Sequence, residues 1–146
     1  MQATEGKLGR VFVLKLEDGD VIPACIEAFA REKEIDVAQV LFIGGIGGGN
    51  IVVGPRTSSY DPIDPIVLPV EGAHEVIGVG VIAKGPDDQA MLHIHGALGR
   101  AGKTTTGCLR PGVNTWLVGE VIITEILGTS SKRVYDEKSC YALLKP

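Results

Sequence analysis

The run Asn114–Leu127, NTWLVGEVIITEIL, constrains the fold most, because it is the longest β-forming stretch in the chain and needs strand neighbours on both sides. Alternation puts Trp116, Val118, Glu120, Ile122, Thr124 and Ile126 on one face, and Leu117, Gly119, Val121, Ile123, Glu125 and Leu127 on the other. Glu120 is then a carboxylate in a mostly apolar row. It is placed to orient a ligand histidine, to bind across a subunit interface or to lie at an exposed edge.

Other segments supply the neighbours. Arg10–Leu16 (RVFVLKL), Ile35–Ile43 with its VAQVLFI core, Ile51–Gly54, Glu75–Ala83 and the closing CYALL read as strands. One helix is expected after Asp20, which is placed to cap it, with Pro23 in its first turn and Ile22, Ile26, Phe29 and Ala30 as its apolar stripe. The glycine cluster GGIGGGN lacks the spacing and the following helix of a phosphate loop, so a turn or bulge with close backbone approach is expected. Pro55–Pro69 carries repeated prolines and reads as a loop with at most edge-strand content, and GTSSKRVYDEKS reads as a polar connection. The expected fold class is α+β: a curved, mostly antiparallel sheet of seven or eight strands with one main helix. Residues 1–9 are expected to be a flexible N-terminus and residues 10–146 a single domain.

At 146 residues the chain can bury a core without staples, so a metal would serve function or local stability. A net charge of −4 argues against a broad basic face that grips nucleic acid through its phosphates. Cys25, Cys108 and Cys140 are an odd, widely spaced set, which fits free thiols in a reducing compartment. No apolar stretch has the length of a membrane span and the first residues lack a signal-peptide core, so a cytoplasmic location is expected.

The chemistry is concentrated in Met91–Arg110, MLHIHGALGRAGKTTTGCLR. His93 and His95 are two apart and leave the same face of a strand. A hairpin turning at Arg100 and Ala101, with Gly102 absorbing an awkward backbone angle, would return Cys108 opposite His93 and Thr106 opposite His95. Two imidazoles and a thiol on one face are a donor set for zinc or another divalent transition metal, and three protein ligands leave a fourth position for water or substrate. His74 stands at the start of its strand with no partner nearby in sequence.

The segments LHIHGALGR, TTGCL, VGEVIITE and KRVYDEKSCYALL, in this order, resemble the plants-and-prokaryotes-conserved (PPC) domain family over about Gly9 to Leu144. The resemblance implies a homotrimer and carries the family's label of predicted DNA binding. The AT-hook that precedes the domain in plants has no counterpart here, and the nearest basic pair is Lys132-Arg133. The family's LHxH and GGHL pattern falls on His93, His95 and Thr106-Gly107-Cys108-Leu109, with cysteine where the last histidine is usual. The fold is also similar to acetolactate decarboxylase, where three histidines so arranged hold a zinc that polarises the substrate.

Two functions follow as expectations. The first is a homotrimeric binding or regulatory module with protein or DNA as partner and a metal at His93, His95 and Cys108. The second is a metal-dependent enzyme, a lyase or hydrolase, acting on a small oxygen-rich metabolite with Glu120 or Arg100 moving a proton or holding an anion. A thiolate ligand weakens the metal's pull on bound oxygen, which ranks the enzyme second.

Overall fold

Hydrophobic alternation becomes eleven strands and one helix in the computed structural model, which describes residues 1–146. In chain order they are β1 (Lys7–Glu17), β2 (Val21–Ile22), α1 (Ala24–Glu32), β3 (Ala38–Gly48), β4 (Asn50–Pro55), β5 (Pro65–Pro69), β6 (His74–Lys84), β7 (Ala90–Arg100), β8 (Lys103–Leu109), β9 (Val113–Leu127), β10 (Lys132–Asp136) and β11 (Tyr141–Lys145). They form one sheet in the order β1-β9-β3-β6-β7-β8-β4-β5, with β2 beside β9 and the β10–β11 hairpin reaching β6. Every pairing is antiparallel except a single parallel bridge from Lys132 to Lys84. The α+β class with one helix is therefore observed. The strand count exceeds the expected seven or eight because β2 has two residues, β5 lies between prolines and β10 is mostly polar. The first strand also begins at Lys7, inside the segment expected to be loose.

The long run behaves as its alternation requires. β9 pairs with β1 on one side and β3 on the other, burying Val121, Ile123 and Glu125 and leaving Glu120 and Ile122 on the opposite face. Leu117 departs from the pattern: its backbone is left-handed (φ 65°), the register with β3 jumps beside it, and its side chain is exposed. The jump falls at Gly44-Gly45, where a side chain on either glycine would collide with the backbone of Val118 or Trp116. The glycine cluster thus marks a close backbone approach, as its sequence suggests.

The inner face of the sheet holds the core, with Phe42, Ile46, Ile82, Ile94, Leu98 and Ile123 almost fully buried. Helix α1 closes over it with Ile26 and Ala30, as the apolar stripe requires. Asp20 does not cap this helix. Its carboxylate accepts the Glu17 N–H at 2.8 Å and closes the preceding turn, while Val21-Ile22 pair with β9 and Pro23 occupies the N-cap. Glu27 on α1 accepts the Leu92 N–H at 2.8 Å. Strand β8 ends before it reaches Leu92, so this carboxylate replaces a missing ladder partner and fixes the helix to the start of β7.

The outer face is uncovered over much of its area. Val13, Ile122, Leu41, Val79, His95 and Cys108 stand in one continuous cross-strand row. Val13 is 79% exposed and Ile77, in the next row, 63% exposed, so apolar side chains face outward from several strands. The β10–β11 hairpin covers only the end of this face nearest His93, where the Arg133 guanidinium donates to the Val81 carbonyl at 3.1 Å.

Candidate metal centre on the outer face

Strands β7 and β8 are joined by the two residues Ala101 and Gly102, both left-handed (φ 50° and 76°), with Arg100 paired to Lys103. Positive φ at both central positions is the type I′ geometry, whose twist matches that of the strands it joins. This turn lies one residue later than the expected one and moves the register by two. Cys108 is therefore opposite His95, and Thr106 is opposite Ala97. A slip of two preserves the face, so His93, His95 and Cys108 still converge.

Their ligand atoms all lie within 4.8 Å of one another. The two Nε2 atoms are 3.1 Å apart, with the rings edge to face at 80°. Two nitrogens bound to one tetrahedral zinc stand about 3.3 Å apart, so the histidine pair already has the spacing a shared ion imposes. The imidazoles are exposed and the thiol is buried, which leaves the open coordination positions toward solvent. The donors present fit a divalent transition ion of borderline softness.

Charge around the group is positive. Burial lowers the His93 pKa, and Arg133, His95 and Arg110 lower it further, which favours the neutral imidazole that ligates metal. Burial raises the Cys108 pKa against the opposing pull of Arg110 and Arg133, so a metal must displace a proton there. Arg110 lies two residues beyond Cys108 and so shares its face; it donates to the Tyr141 hydroxyl at 3.0 Å and stacks on that ring. Arg133 is only 5% exposed, bonds to the carbonyl of the residue paired with His93, and leaves its Nε–H without an acceptor.

The remaining sequence candidates lie elsewhere. Arg100 donates to the Ala73 carbonyl and packs against Gly72, which ties it to the loop before β6. Glu120 does share the outer face with the histidines, but β9 is three strands from β7, about 14 Å at ordinary strand spacing. It lines a shallow depression with Ile43, Glu75, Ile77 and Thr104. His74 bonds through Nδ1 to the Gly72 carbonyl at 2.8 Å and stays apart from the other two histidines.

The two arginines were not among the sequence candidates. Alternation from Cys108 was enough to place Arg110 on the ligand face. Arg133 gave no such signal, because β10 buries its arginine and exposes Val134 and Tyr135, the reverse of what hydropathy suggests.

Fold and site together define a class: a single-sheet α+β domain with one helix and a candidate transition-metal group on its open face. More particularly, the chain belongs to the Plants and Prokaryotes Conserved (PCC) domain family, whose sequence profile matches residues 3–127. Among solved structures it is similar to a metal-containing protein from Archaeoglobus fulgidus, at 24% identity and a TM-score of 0.86, with 100% of both chains covered. It is likewise similar to a plant- and prokaryote-conserved protein from Pyrococcus horikoshii, at 22% identity and a TM-score of 0.82, again over 100% of both chains. A candidate DNA-binding protein from Ralstonia eutropha aligns at 17% identity and a TM-score of 0.75, over 92% of this chain and 90% of that one. No curated protein matches the sequence. No helix is long and apolar enough to cross a membrane.

Proposed function

We propose that this chain is a self-associating binding module whose His93, His95 and Cys108 hold a divalent transition metal, zinc first, on the face where its copies meet. The observation that carries the reading is the convergence of the three ligand atoms within 4.8 Å from two adjacent strands. The metal-containing relative from Archaeoglobus fulgidus supports it, as does the open apolar face, which is of the kind that marks an interface. A homotrimer is the proposed assembly, the number three coming from the family resemblance.

The expected result is about one metal per chain in protein purified without chelators, restored by zinc after stripping, and lost in both His93→Ala and Cys108→Ala. No uptake on zinc titration would overturn the reading.

A nucleic-acid partner has the weaker physical support. The net charge is −4, and of the basic pair Lys132-Arg133 the arginine is buried, so the pair presents no double cation to phosphates. Duplex DNA is expected to show no salt-sensitive binding at low ionic strength.

A second reading, a metal-dependent enzyme acting on a small oxygen-rich metabolite, is favoured by one observation: Arg110 follows Cys108 by two residues and Arg133 bonds to the carbonyl of Val81, which pairs with His93, so two guanidiniums flank the strands that carry the ligand group. When bound, the metal would polarise an oxygen of the ligand, and the Cys108 thiolate would moderate that polarisation.

A further inference from the structure

Arg133 is a buried cation without a counter-ion. Its side chain joins none of the protein's ion pairs, and burial lowers its pKa. One hydrogen bond, to the Val81 carbonyl, and one orphaned Nε–H account for what its guanidinium is seen to do. Burying a full charge with so little compensation is costly, and such groups persist where something else completes them.

The surroundings point to an anion. Arg110 follows Cys108 by two residues and is held by Tyr141, while Arg133 bonds to the carbonyl of Val81, the residue paired with His93. Neither guanidinium has all its donors engaged. We propose that Arg133 and Arg110 form the anion-binding half of the site and hold the carboxylate of a small ligand beside His93 and Cys108. A planar carboxylate matches the parallel donors of a guanidinium edge. The assignment rests on the metal reading only in that a second oxygen of the ligand would face the metal.

Glycolate is a suitable probe, having one carboxylate and one neighbouring hydroxyl. Titrated calorimetrically into zinc-loaded protein, glycolate binds, whereas ethylene glycol, which lacks the carboxylate, does not. Arg133→Met and Arg110→Gln each weaken glycolate binding by tenfold or more while zinc content stays near that of the parent. Arg133→Lys keeps the charge without the fork and recovers only part of the binding. Circular dichroism of each variant reports whether it folds, and Arg110→Gln, at a less buried position, supplies the answer if Arg133→Met does not.

Three outcomes overturn the anion assignment: zinc-loaded parent that ignores glycolate, variants that bind it like the parent, or inorganic phosphate binding far more tightly than glycolate. Loss of zinc in Arg133→Met with folding intact would also overturn it, because the guanidinium would then serve the Cys108 thiolate. Failure of the metal reading is seen separately, as parent protein that takes up no zinc.

Discussion

Glu120 and Glu125 stand on opposite faces of β9, and their surroundings give them different roles. Glu120 stays in water on the outer face. Glu125, set among core residues, is the buried acid, held by the Arg10 guanidinium at 2.7 and 2.8 Å and by the Arg10 backbone N–H at 3.0 Å. These bonds favour the charged form and take the Glu125 pKa from 4.5 down to about 2, despite burial. Because the folded-state value is the lower one, the contribution to stability is complete above the unfolded value near 4.5 and is lost as pH falls toward 2. Glu125→Gln should therefore lower stability at neutral pH and flatten the acid limb of a urea-denaturation profile between pH 4.5 and 2. A variant with the parent's acid limb would place the pH sensitivity elsewhere. The same pair anchors β1, since Arg10 also donates to the Lys33 carbonyl beyond α1.

At the scale of elements, the β7–β8 hairpin decides where the thiol lands. Ala101 holds a left-handed backbone (φ 50°) that costs an alanine roughly 1–2 kcal/mol and that asparagine adopts more readily. Ala101→Asn should therefore stabilise the protein by about 0.5–1 kcal/mol in chemical denaturation with zinc binding unchanged. Unchanged or lower stability would mean that the turn is not strained at this residue. The hairpin also marks how far sequence reasoning reached. Alternation placed His93, His95 and Cys108 on one face, because the side-chain period survives any even slip. The register itself depends on which two residues accept positive φ, and Ala101-Gly102 does not announce this as plainly as Asn-Gly would. Helix α1 was legible in its stripe but not in its start, since Asp20 found a nearer donor in the Glu17 backbone. Strand β10 was hidden, although its partner β11 is the expected closing strand. Its inward residue is Arg133, whose place follows from the site it covers and from no pattern within KRVYD.

For the whole molecule, the sheet has more apolar surface than one chain can bury. α1 covers the inner face, while Val11, Val13, Leu41, Ile43, Ile77 and Val79 remain exposed on the outer one. This is why the strands read as nearly continuous hydrophobic runs, leaving the sequence alone unable to distinguish the inner face from the outer one. Copies that meet on this face would bury those side chains and place the row from Val13 through His95 to Cys108 along the seam. Sedimentation should then give a mass near three times the 15.4 kDa chain. Paired Val13→Lys and Ile43→Lys substitutions put like charges at exposed positions on this face, away from the metal ligands, so the variant should sediment as a folded monomer. The metal supplies a second readout, since a ligand group at a seam is shielded by the neighbouring copy. Zinc should therefore pass to a competing chelator faster from the dissociated variant than from the parent. A parent that is already monomeric at micromolar concentration would remove the assembly. Equal release rates from trimer and monomer would leave the assembly standing and place the metal group away from its seam.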